Sequence, residues 1–218
     1  MIHDESGKEV INKCYEKSFI QVNDSTCMTL FELAEQIRTC TACPLFKERT
    51  LTVPGSGPEN AKIMIIGEGP GQEEDRQGLP FIGRSGKLLT EVLTESGLDR
   101  EEFFITNTVK CRPPDNRNPL AEEMSTCKSL WLDKQIELIN PNIIVLLGNM
   151  ALNSVLGRTG VTSLRGKTIQ HEGRTYFPTL HPSAALRFVK FKDMMKEDFK
   201  KLKEIIEGKK SQRKLGQY

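Results

Sequence analysis

Residues 63–66 (Ile-Met-Ile-Ile) and Ile143–Leu147 are unbroken apolar runs, and each stops at a glycine. A strand with one wet face alternates apolar and polar side chains. Unbroken runs belong to strands covered on both faces, as in a parallel sheet between helices. Helical patterns separate them. Residues 30–38 carry Phe31, Leu33, Ala34 and Ile37 on one side, and 87–96 read as a helix ended by Gly97. Residues 121–139 form the clearest amphipathic helix, through Met124, Cys127, Leu130, Trp131, Ile136 and Ile139, and Gly148–Leu156 a short one. Residues 103–106 are a short strand running into Asn107, and 168–170 pair with 174–176 around Gly173. Residues 177–180 lead into His181, before a long helix over 184–207. Alternating strands and helices predict an α/β layered fold with four candidate strands in a mostly parallel central sheet.

A chain of 218 residues, 37% hydrophobic, suits one globular domain with a real core. The expected layout is an N-terminal extension over 1–28, a domain over 29–207 and a basic tail over 208–218. No apolar run reaches transmembrane length, and the charged start MIHDESGKEV is no secretory signal. A cytoplasmic protein without a membrane partner is expected. Lysines crowd the C-terminal part, which suits a polyanion, although such runs are ordinarily solvated helix faces.

In open α/β sheets ligands bind outside the carboxyl ends of the strands. The polar residues there are Glu68 with its glycine turn, Asn107, Asn149 and the stretch from His181 to Ser183. They are expected to converge. Glycine turns usually cradle phosphate, yet GEGPGQEED holds Glu68, Glu73, Glu74 and Asp75 and no lysine. The nearby GLPFIGRS has arginine where a Walker loop needs lysine, and does not directly follow a strand. Phe81, in a Pro- and Gly-rich loop, is ordinary core or a stacking platform. Asn107 caps a turn or reads a base edge, since a carboxamide sets a donor beside an acceptor. His181 is structural or functional, its place before Pro-Ser in the crevice raising the second possibility.

Cys40 and Cys43 form a CxxC, with Cys111 and Cys127 further on. Four thiolates suit tetrahedral zinc or a four-iron cluster, and the spacing leaves both open. Proline after Cys43 and the absence of a second CxxC lean towards iron–sulfur. On spacing alone Cys127 is equally a core residue of its helix, and Cys14 and Cys27 are spare.

GEGPGQEED, LPFIGRSGKLL, TNTVKCRPPDNRNP and HPS, in this order and with these four cysteines, resemble the family-4 (iron–sulfur) uracil-DNA glycosylases. The resemblance spans about Cys40 to Arg187. It implies a three-layer α/β/α sandwich around a four-stranded, mostly parallel sheet. It also implies a [4Fe–4S] cluster on Cys40, Cys43, Cys111 and Cys127. The implied activity is that of a monofunctional uracil-DNA glycosylase, which hydrolyses the N-glycosidic bond of deoxyuridine, leaves an abasic site and so opens base-excision repair. By the same resemblance His181, Glu68 and Gly69 are catalytic. Gly69, Phe81, Asn107, His181 and Glu74 bind the base, with Glu74 where a thymine methyl would go. Ser85, Ser183, Leu186 and Arg187 hold DNA. Ser56 or Gly57, and Arg112 and Arg117, are further candidates for the backbone. The partner is uracil-containing DNA, single- or double-stranded, and the expected state is a monomer. A non-catalytic iron–sulfur DNA-binding module associated with a polymerase is the alternative.

Overall fold

The computed structural model describes residues 28–208. Apart from Met28 and Gly208, the expected extension and basic tail lie outside the described residues, as do Cys14 and Cys27. The sheet contains β1 (Ile63–Gly67), β2 (Phe103–Asn107), β3 (Ile143–Leu147), β4 (Ile169–His171) and β5 (Arg174–Thr179), in the order β2-β1-β3-β5-β4. The pairs β1–β2, β1–β3 and β3–β5 are parallel. All of β1 and β2 and all but the first residue of β3 are buried. Side chains on both faces are therefore covered, as the unbroken apolar runs require.

The sheet has five strands, not four. The extra one, β4, runs antiparallel along the edge of β5. The two pieces expected at 174–176 and 177–180 are one strand. Pro178 punctuates the sequence but pairs with Leu146 of β3, beyond the Arg174–Tyr176 stretch that β4 covers. Its missing N–H therefore costs no ladder bond to β4.

The helices are α1 (Leu30–Arg38), α2 (Gln72–Gln77), α3 (Arg84–Glu95), α4 (Ala121–Cys127), α5 (Asp133–Ile139), α6 (Gly148–Leu156), α7 (Val161–Leu164), α8 (Pro182–Ala185) and α9 (Val189–Ile206). Helix α1 opens on a reciprocal cap: the Glu32 carboxylate accepts from the Thr29 N–H at 2.8 Å, and Thr29 Oγ1 from the Glu32 N–H at 3.1 Å. It buries Leu33 and Ile37 but leaves Phe31 exposed, contrary to the expected apolar side. The expected helix over 121–139 is wound in three parts, with a π-helical stretch Lys128–Leu132 between α4 and α5. The expected helix over 184–207 breaks instead into α8 and α9, with Phe188 extended at the break. No glycine or proline marks that break, so periodicity alone runs through it. None of the described helices is long and apolar enough to cross a membrane.

Three of the six lysines of α9 are held by partners. Lys192 pairs with Glu91 and Lys196 with Glu95, both at 2.7 Å, and Lys203 donates to the Gly97 carbonyl at 3.0 Å. This run is a helix–helix seam with a solvated edge. Beside the main core lies a smaller one built from Leu45, Val109, Cys111, Met124 and Cys127.

Candidate active site and cysteine centre

The order β2-β1-β3 puts a change of winding direction at β1, and the loops after β1, β2 and β5 meet over the carboxyl edge of the sheet. They enclose an open cleft of roughly 570 Å³. Glu68, Gly69 and Glu74 line it from the glycine loop, Asn107 from β2, Phe81 from the loop before α3 and Ser85 from the start of α3. His181, Ser183, Leu186 and Arg187 close it from the α8 side. Glu68 and the nine residues expected first to hold the base or the DNA share this one cleft. Asn149 does not. Its Oδ1 accepts from the Gly160 and Val161 N–H groups at 3.1 and 2.9 Å, which makes it a turn cap. Ser56 bridges to Ile105 of β2, and Gly57 packs on the Phe103 backbone, away from the cleft lining.

The floor of the cleft is tightly built. A methyl group on Gly67 would lie 2.4 Å from both Asn107 Oδ1 and Phe81 Cζ, so only glycine lets these two side chains meet at the end of β1. Gly148, with φ of +85°, likewise leaves room for His181: an added Cβ would come 2.9 Å from His181 Cβ. The Phe81 and His181 ring centroids are 5.9 Å apart, at 43°.

Phe81 sits at φ of +52°, an unfavourable region for an aromatic residue. Glu74 holds it there. Its Oε1 accepts from the Ile82 and Gly83 N–H groups at 3.0 and 2.8 Å, and its Oε2 from the Gly71 N–H at 3.2 Å. Glu74 thus serves the loop as a clamp, a role the sequence reading missed. The signal was present: Gly71 followed three residues later by Glu74 is the spacing of a helix-start box, and α2 begins there.

Asn107 is 1% exposed, and its Oδ1 has no hydrogen-bond partner. A buried acceptor left unpaired costs about 1–3 kcal/mol, so this atom is poised for a donor on a ligand. The loop beyond it is stitched to the β1 loop, with the Thr108 N–H on the Gly67 carbonyl at 3.0 Å and the Val109 N–H on that of Glu68 at 3.3 Å. Burial raises the Glu68 carboxyl above its ordinary pKa. Burial also pushes the His181 imidazole down to about 4. Its Nδ1 accepts from the Ser183 N–H at 3.2 Å and lies 2.7 Å from Ser183 Oγ. With Nδ1 acting as acceptor, the single proton of the neutral ring sits on Nε2. Arg117 lines the cleft, but its fork grips the buried Glu123 carboxylate at 2.7 and 2.9 Å. Arg112 Nε donates to Asn116 Oδ1 at 2.8 Å.

Cys40, Cys43, Cys111 and Cys127 are free thiols that line one small pocket. No three His, Cys, Asp or Glu side chains among the described residues are grouped to grip a metal ion. The sulfurs are nevertheless furnished with donors from across the pocket. Trp131 Nε1 lies 3.3 Å from Cys40 Sγ, and Arg49 Nη1 3.1 Å from Cys111 Sγ. Backbone N–H groups of Leu45 and Lys110 serve Cys43 and Cys127. Burial pushes the Cys127 thiol up to about 12 and raises those of Cys111 and Cys43. The π-helical stretch after Cys127 carries Trp131.

A family model described as the uracil DNA glycosylase superfamily matches residues 54–203. A type-4 uracil-DNA glycosylase of Thermotoga maritima is 45% identical over 179 residues, 80% of this chain and 93% of that protein. One from Sulfurisphaera tokodaii is 42% identical over 187 residues, covering 81% and 84%. Another, from Saccharolobus solfataricus, is 43% identical over 187 residues, covering 81% and 86%. The matched stretch begins at the loop before β1 and ends within α9, and so takes in every strand whose end builds the cleft. With likeness of this extent over that architecture, the chain belongs to the uracil-DNA glycosylase superfamily, in its type-4 family.

Proposed function

We propose that this protein is a uracil-DNA glycosylase, hydrolysing the bond between uracil and deoxyribose and leaving an abasic site. The observation that carries the reading is the unpaired Asn107 Oδ1 on the floor of the cleft, beside Phe81 and opposite His181. A flipped-out uracil offers what this floor lacks. Its N3–H supplies the missing donor to Oδ1, while the amide Nδ2 gives to O4. Cytosine carries the reverse pattern on that edge and would leave both groups unpaired, the kind of mismatch that gives strong discrimination. Phe81 stacks on the ring.

As the carbon–nitrogen bond stretches, charge collects on uracil O2. His181, neutral through burial and protonated on Nε2, donates to that oxygen. It stabilises the leaving anion as a fixed dipole and keeps its proton. With Asn149 committed as a turn cap, Glu68 or the flanking DNA phosphates orient the attacking water. Gly69 lets the Val109 side chain pack close behind the loop, with an added Cβ only 2.9 Å from Cγ2. Ser85, Ser183 and Arg187 contact the DNA backbone, and the half-exposed Leu186 fills the gap left by the base. Residues 29–207 form the catalytic unit.

The four cysteines are the ligands of a [4Fe–4S] cluster. Four sulfurs facing one pocket, each met by an N–H donor, are the donor set that thiolate ligation of such a cluster uses. When bound, the cluster ties three chain segments together. A non-catalytic DNA-binding module would use the cysteines, but has no need of an enclosed floor that joins Asn107 to His181.

The test is a duplex and a single strand each holding one uracil, with thymine and cytosine controls. Uracil release and alkali-labile strands are expected for uracil alone. Intact uracil strands with cluster-loaded protein would favour the binding module.

A further inference from the structure

Lys110 is 2% exposed and has no carboxylate partner among the described residues. Its Nζ donates to Thr106 Oγ1 at 2.6 Å, to the Asn107 carbonyl at 2.8 Å and to Gln135 Oε1 at 2.6 Å. An ammonium has three protons and no acceptor, so three acceptors saturate it. The directions of the neighbouring bonds agree. Thr106 Oγ1 donates to the Pro54 carbonyl at 2.8 Å, and so must accept from Lys110. Gln135 Nε2 donates to the same Pro54 carbonyl at 2.8 Å, which turns its Oε1 to the ammonium. The Val53 N–H then closes the knot on the Lys110 carbonyl at 2.7 Å. Every polar atom of this buried knot has one consistent role.

The knot ties the end of β2, where Asn107 lines the cleft, to the wall of the cysteine pocket, which Lys110 lines. One of its three bonds is to the backbone of Asn107, and another is to the residue before it. The next residue along the chain is Cys111. A surface lysine has no cause to enter such a place, and burying an ammonium is costly unless it is fully bonded. The return for that cost is a fixed end to β2.

We propose that Lys110 is a positioning residue for base reading: its ammonium pins the Asn107 backbone, so that the Asn107 carboxamide meets uracil at a set angle. Lys110 does not touch the base. It acts through Asn107, and the inference rests on the reading of Asn107 as the residue that recognises uracil.

A double-mutant cycle tests this. Lys110→Met keeps the apolar stem and removes all three donors. It is expected to lower kcat/KM for uracil release about tenfold or more in the wild-type background, but less than about threefold in an Asn107→Ala background, because residues that act through one another are not additive. Lys110→Met is also expected to narrow the preference for uracil over cytosine. A purely structural lysine would subtract equally in both backgrounds and leave base preference alone. Cluster absorbance per chain, measured on each variant, confines the comparison to loaded protein. Should Lys110→Met not fold, Thr106→Val removes one acceptor of the same ammonium at nearly constant shape, and is read in the same cycle. Equal losses in both backgrounds, or no loss, overturn the role of Lys110 alone. A wild-type protein that releases no uracil overturns the functional reading, and the role of Lys110 falls with it.

Discussion

His181 shows how one side chain gets its chemistry from its surroundings. Burial pushes its pKa to about 4 from an ordinary 6.5, which favours the neutral ring in the folded state. Above pH 6.5 both folded and unfolded chains hold it neutral, and it contributes no pH dependence. Between 6.5 and about 4 the unfolded chain binds the proton and the folded one does not, so stability falls as pH drops through that window. The loss is on the order of 3 kcal/mol. We therefore expect kcat to show no inflection near pH 6.5, with denaturation midpoints falling below it. A single protonation near 6.5 in the rate profile would mean that the ring is not held neutral. His181→Ala is expected to cut turnover by about 10²–10³ while DNA affinity is kept; rates like the wild type would take the imidazole out of the mechanism. That His181, Asn107 and Phe81 come together was legible in the sequence, because each lies at a strand end or beyond a glycine turn. The Glu74 clamp was legible only in part: its spacing from Gly71 marks a helix start, but its bonds to the Ile82 and Gly83 N–H groups across the loop leave no side-chain pattern.

At the scale of elements, the cleft depends on the end of β1. Gly67 is the contact point of Phe81 and Asn107, and the loop from Glu68 to Gly83 folds back through Glu74. Gly67→Ala inserts a methyl group 2.4 Å from two floor atoms, so one of them must move. We expect that variant to remain folded and to lose most uracil release, with KM raised, because the methyl acts on binding rather than on His181. An active Gly67→Ala enzyme with unchanged KM would show that the floor is softer than described. The β1 and β3 runs announced themselves through unbroken apolar residues. Helix α2 did not, since QEEDRQ has no apolar periodicity and is held by its first-turn carboxylate. The π-helical stretch was also missed: its wider turn displaces the apolar phase, but apolar positions spread over 121–139 bridge that displacement without a visible break.

Across the whole molecule, two cores are coupled. The sheet core supports the cleft, and the small cysteine core joins the segment after α1 (Cys43 and Leu45), the loop after β2 and α4. Metal binding at such a centre is folding free energy. Protein prepared without oxygen is expected to be brown, with broad absorption near ~400 nm. Cys111→Ser is expected to bleach it and to lower the melting temperature. A colourless, zinc-loaded preparation would overturn the iron–sulfur assignment. Sequence spacing alone left zinc and iron open, because spacing does not show which donors face the sulfurs. Arg49 and Trp131, which reach across the pocket from different segments, became visible only in three dimensions.

The pairing of the α9 lysines with Glu91 and Glu95 bears on how the molecule meets a polyanion. Charge that is cancelled in place cannot attract from afar. Lys192 and Lys196 therefore add little to the pull on a distant nucleic acid, whereas Arg84 and Arg187 at the mouth of the cleft have no acidic partner among the described residues. Those two cations are left to meet backbone phosphates beside the opening where a turned-out base would enter.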